Sequence, residues 1–168
     1  MTTFSLADYY AGERNAGVAL TLIGVASAVA ATWLLWARGP LAAMAWPLAV
    51  GALLGLGVGT GMAVNAQREL TQRPTPTAQT MVALDAKLVG QAETYRRATR
   101  VELTLIVLAA LLILGLPGAT TLRALFVGVL VQGSAFLCFD TFGRSRATRR
   151  LEQLRASYTL FNGTATLA

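Results

Sequence analysis

Two stretches of the chain, 16–36 and 41–64, run without a single charged residue. About 20 apolar residues suffice to cross a hydrocarbon core of about 30 Å as a helix, so each stretch predicts a transmembrane span. Two shorter uncharged runs follow, 103–116 and 124–139, separated by the breaker Leu116-Pro117-Gly118 and by Arg123. The third reaches spanning length by taking in Val101 and Glu102. The fourth does so by starting from a Thr121 cap and running past Asp140 to Gly143. The pattern therefore predicts an all-α fold, a four-helix transmembrane bundle in one membrane domain, with spans at about 16–36, 41–64, 101–116 and 121–143.

Between and beyond the spans the apolar positions change period. In the segment 65–100, Arg73-Pro74-Thr75-Pro76-Thr77 stops one helix and offers Thr75 as the cap of the next, with Pro76 at its first position. Met81, Leu84, Leu88, Ala92 and Tyr95 then recur at steps of three and four, one face of a helix. No breaker intervenes before Pro117, so the third span is expected to end a continuous rod from Pro76 to Leu116, about 60 Å long. Glu93 and Arg97 make an i,i+4 pair on another face. In the tail, 144–168, Leu151, Leu154, Tyr158 and Phe161 repeat the spacing. The hairpin of spans three and four brings these two extensions together, and the simplest expectation is that their stripes pack on each other. A partner-binding stripe is the alternative, and 162–168 reads as a frayed end. At the other terminus Ser5-Leu6-Ala7-Asp8 has capping spacing. Phe4, Tyr9 and Tyr10 suit a headgroup zone, so 1–15 reads as a short interfacial helix.

Composition agrees with lipid as the main solvent: of 168 residues, 55% are hydrophobic and 13% charged, with a mean hydropathy of +0.56. The net charge of +6 matters through its placement. One arginine precedes the first span, six basic residues lie in 65–100 and five in the tail, whereas each hairpin turn holds one, Arg38 and Arg123. The positive-inside rule then puts both termini on the cytoplasmic side. It also accounts for the basic clusters as topology signals and anionic-headgroup contacts, with no nucleic acid required. The segment before the first span holds Arg14 against Asp8 and Glu13, a poor n-region, so the span is read as retained and not as a cleaved signal. There is no histidine, and Cys138 is the sole cysteine. This argues against most transition-metal sites, disulfides and Cys–His nucleophiles, and no enzyme activity or cofactor is expected.

The second span carries the most distinctive pattern. Gly51, Gly55, Gly59 and Ala63 form one stripe at four-residue spacing, and Gly57 and Gly61 form a second beside it. Small residues let helix backbones meet in lipid. The first span offers a matching seam in Gly17, Thr21, Gly24, Ala28 and Ala31. Two stripes exceed what one neighbour requires, which leaves room for an outside helix. The Gly-x-Gly likeness to phosphate loops lacks the preceding strand and the aqueous setting that such loops need. Polar groups within spans are the other candidates. Asp140 and Arg144 are spaced for an i,i+4 pair, and Glu102 has Arg97 and Arg100 nearby, so a polar cluster of these five is expected where the hairpin leaves the bilayer. Its simplest role is a structural clamp, and its sharper one proton or ion transfer. Mid-span Gln132 should hydrogen-bond to another helix.

Several local patterns resemble a group of small bacterial four-helix inner-membrane proteins: Tyr9-Tyr10 with Glu13-Arg14, Ala45-Trp46-Pro47-Leu48 before the glycine-rich span, Tyr95 with Arg100-Val101-Glu102, and Val131-Gln132 before Asp140-Thr141-Phe142 and Arg146. The resemblance covers most of the chain and implies its topology, with no chemistry attached. The expected function is non-enzymatic binding of another protein in or under the membrane, in the first place immunity to a membrane-inserting toxin. A small transporter or channel, and an accessory subunit of a larger membrane complex, are the alternatives. Expected partners are membrane lipid and a protein, which includes a second copy of the chain.

Overall fold

The computed structural model describes residues 5–72, 78–116, 118 and 120–165, excluding the side chains of Ala78, Thr80 and 158–165. Four helices make up the fold: α1 Leu6–Ala37, α2 Ala45–Gln72, α3 Ala78–Gly115 and α4 Thr120–Ala165. All four are long and apolar enough to cross a membrane. No strand occurs among the described residues.

Local chemistry sets the helix ends. The Ser5 hydroxyl accepts from the Asp8 amide at 3.3 Å, and Asp8 places its charge in the first turn, where the helix dipole favours it. α1 stops where Arg38 turns left-handed at φ 47° and Pro40 follows in the chain. A short 3-10 turn, Ala42–Met44, then leads into α2. Pro47 sits in the first turn of α2, where its missing N–H costs no helical bond.

α3 and α4 are single unbroken rods of 38 and 46 residues, so spans and extensions are continuous as the missing breakers implied. α4 begins at Thr120, which puts Thr121 inside the first turn instead of at the cap. Helix continues beyond Asn162 to Ala165. The Pro-Thr segment 73–77 and the tail side chains of Tyr158 and Phe161 lie outside the described residues.

The helices pair as two antiparallel hairpins, α1 with α2 and α3 with α4. α4 also runs against α1 and α2, whereas α3 lies along α4 and meets α1 through side chains at one end. We term this the basal end, since it gathers Leu6 of α1, Met81 of α3 and Leu151 of α4. Here Leu84, Leu88 and Leu154 close around Tyr9, which is 1% exposed. The two extension stripes do pack on each other, but around a residue of the first helix. Residues 6–15 run unbroken into the first span as the first turns of α1, and Tyr9 belongs to a core. The opposite end holds a smaller cluster of Ala31, Leu34, Ala45 and Leu48. Elsewhere large apolar side chains point outward, with Trp33, Trp36, Trp46, Leu53 and Leu114 all more than 60% exposed. A water-soluble protein would not leave so much apolar surface uncovered.

Candidate functional site

The glycines of α2 have two different fates. A β-carbon on Gly55 would lie 2.8 Å from the Gly24 Cα, and one on Gly59 would lie 2.5 Å from the Thr21 nitrogen. Reciprocally, β-carbons on Gly17 and Gly24 would reach the α2 backbone at Ala63 and Leu56. This stripe is consumed inside the first hairpin, where two backbones touch. Gly51 serves the other hairpin, leaving room for the side chain of Gln132. Gly57 and Gly61 are exposed and meet nothing within 4 Å. They open outward beside Val50, Leu53 and Val64.

Gln132 makes the interhelical contact that its depth demanded: the buried Ser27 hydroxyl donates to its Oε1 at 2.9 Å. Such a bond contributes about 0.5–2 kcal/mol within a bilayer. Its Nε2 is buried without a protein acceptor among the described residues.

The expected five-residue polar cluster does not assemble. Glu102 and Asp140 do lie close enough to act on each other electrostatically, and Glu102 Oε2 is buried without a hydrogen-bond partner among the described residues. The arginines are elsewhere. Arg97 pairs with Glu93 on its own helix at 3.8 Å and stays exposed. Arg100 and Arg144 are exposed, and neither forms an ion pair among the described residues. The Asp140–Arg144 pair fails because α4 turns Asp140 inward toward α3, while the long Arg144 side chain extends outward, where a cation is better solvated.

A different charged cluster forms at the basal end. Glu13 on α1 receives Arg150 of α4 at 3.5 Å, each side chain 17% exposed, and accepts from the Gln91 amide of α3 at 3.3 Å. The Tyr9 hydroxyl donates to the Gln91 Oε1 at 3.4 Å. Arg146 and Arg150 donate to the Gly12 and Asp8 carbonyls, and the Arg150 guanidinium stacks over the Tyr9 ring at 5.1 Å. Burial pushes the Tyr9 phenol well above the usual tyrosine range, and the Glu13 charge adds to the rise. Three helices are clamped here by one cluster. The sequence held a signal for it: Tyr9 and Glu13 are four apart, as are Arg146 and Arg150, on segments that a same-side topology brings together.

Between the hairpins lies a cleft of about 940 Å³. It exists because Gly55 and Gly59 draw α2 onto α1, while α3 packs along α4, leaving α2 and α3 apart. Its deeper half is apolar, with Leu54, Val58, Phe136 and Phe139. Its basal half is polar, with Asn65, Glu69, Lys87 and Thr94. Asp140 stands near the junction of the two. No group of three or more potential metal ligands occurs among the described residues. No protein-family profile, curated protein or solved structure matches the chain.

Proposed function

We propose that this chain is a non-enzymatic inner-membrane protein with both termini in the cytoplasm, which binds another protein in or under the bilayer. The observation that carries the reading is the unused glycine pair. Gly55 and Gly59 already satisfy the first hairpin, whereas Gly57 and Gly61 present a bare backbone to the outside. A bare helix backbone in lipid is a surface on which a second helix gains close packing. The basal clamp favours the same role, since a braced bundle holds that face in one position.

In its most specific form the partner is a membrane-inserting toxin, and the protein confers immunity. The test places a photo-crosslinking residue at Gly57 or Gly61 in cells challenged with the product of a neighbouring gene. An adduct with that product, together with protection that Gly61→Leu abolishes at unchanged protein level, is the expected result. Survival unchanged by the protein, with adducts only to lipid, overturns the proposal. Adducts with a resident membrane protein or a second copy would direct the reading to an accessory subunit or an oligomer.

The Glu102–Asp140 carboxyl pair beside the cleft favours one alternative, a small transporter or channel. Liposome flux at neutral and acidic pH separates it from the first reading. Flux absent, or indifferent to Asp140→Asn and Glu102→Gln, leaves the alternative without support.

A further inference from the structure

We infer that the cleft between α2 and α3 is a binding site for one phospholipid with a zwitterionic, amine-bearing headgroup, held at the basal edge of the bilayer. The inference starts from the charges facing the cleft. Glu13 is spent on Arg150 and Gln91, and Asp140 sits deeper, where the polar and apolar halves meet. At the polar mouth stand Lys87 of α3 and Glu69 of α2, and neither forms an ion pair among the described residues. The Lys87 ammonium stands 5.7 Å from the ring centres of both Tyr9 and Tyr10, and Glu69 is close enough to act electrostatically on Tyr10. A cation and an anion, neither of them in an ion pair among the described residues, thus flank Tyr10 at the polar mouth. A headgroup carrying both a phosphate and a primary ammonium complements this pair, with phosphate toward Lys87 and ammonium toward Glu69. A purely anionic headgroup would meet Glu69 unfavourably, and a choline headgroup has no N–H to donate to it.

The polarity gradient runs in the direction a lipid requires. Leu54 and Val58 lie in the second span and Phe136 and Phe139 in the fourth, so the apolar half sits at the depth of acyl chains. Glu69 and Lys87 lie beyond the span ends, on the basal side. Because α2 and α3 do not pack together, the cleft opens sideways, the route by which a bilayer lipid enters. Its volume of about 940 Å³ belongs to the range of small-molecule sites.

The test uses the full chain in nanodiscs made from equal parts of ethanolamine, choline and glycerol-headgroup phospholipids with identical acyl chains. The protein is released into detergent, and native mass spectrometry reads the lipid retained. Retention of one ethanolamine lipid, about fivefold over each competitor, is expected, the size of a single interfacial charge contact. Lys87→Gln and Glu69→Gln should each erase the preference while leaving helix content unchanged. Leu54→Trp should cut retention of every lipid by filling the apolar half, and Val58→Phe repeats this arm should the first variant misfold. Equal retention of all three headgroups would mean ordinary annular lipid and overturn the proposal. Preference for the glycerol headgroup, or a preference that survives both charge variants, overturns it equally.

Discussion

The two hairpins solve the same problem with different means. α1 and α2 meet backbone to backbone, with Gly24 against Gly55 and Gly17 against Gly59. α3 and α4 meet through side chains, Ile106 over Gly133 and the Tyr95 ring over Gly143. In lipid no hydrophobic force draws helices together, so closeness depends on what has been removed from the interface. The first hairpin removes side chains on both helices and packs tightly along its apolar length. The second has glycine on one helix only, and large residues on α3 such as Leu105, Leu108 and Leu111 remain turned outward. Its security comes from beyond the span, at the basal end, where Leu84, Leu88 and Leu154 surround Tyr9. One hairpin is held by backbone contact along its helices, and the other by side-chain packing at the basal end.

That difference can be broken at either end. The largest effect is expected from Leu154→Ala, since Leu154 is fully buried among Tyr9, Leu84 and Leu88. Truncating such a side chain typically costs about 2–5 kcal/mol. Thermal melting in detergent should fall accordingly, and cysteine pairs across the α3–α4 extensions should crosslink less well, while pairs across α1–α2 are unaffected. A melting temperature close to the parent's would show that the basal core is dispensable.

A smaller loss, about 1–3 kcal/mol from overpacking, is expected for Gly55→Leu or Gly59→Leu, with the damage confined to the first hairpin. The neighbouring variants Gly57→Leu and Gly61→Leu should melt like the parent, because nothing stands within 4 Å of either glycine. If Gly57→Leu destabilised the isolated protein as much as Gly55→Leu, the division of the glycines into an inner and an outer stripe would be wrong.

The smallest effect appears only in alkali. With the folded-state pKa of Tyr9 raised above its ordinary value of 10.0, the unfolded chain ionises first. The stability it contributes is complete below about pH 10 and is lost as pH rises beyond that. Melting followed from pH 8 to 11 should show a decline that Tyr9→Phe reduces. Identical declines in parent and variant would assign the alkaline loss to other groups.

Spans one and two were legible in the sequence because uncharged runs of that length have few other uses. The rods of α3 and α4 were legible because helix continues where nothing interrupts it, and the glycine seam because both partners lie on sequential helices. The basal clamp was not. The first 15 residues carry aromatic and charged residues in a pattern that also suits a headgroup zone, and only packing against α3 and α4 converts Tyr9 into core. The supposed partnership of Asp140 with Arg144 failed for a related reason. Spacing of four says that two side chains can meet, but here the Arg144 side chain extends outward and stays exposed. Spacing along one helix carries no information about that choice.

α4 is one helix of 46 residues, and it carries Gln132 at mid-membrane, Asp140 beside the cleft, and Arg150 and Leu154 in the basal clamp. From Gln132 to Leu154 the distance is about 33 Å at 1.5 Å per residue. These residues ride on a single shaft, so a few degrees of axial rotation would move all of them together. Loosening the Ser27 latch on Gln132 would therefore be felt as torque at Glu13 and Gly12, far below it. The clamp and the latch are two bearings on the same axle.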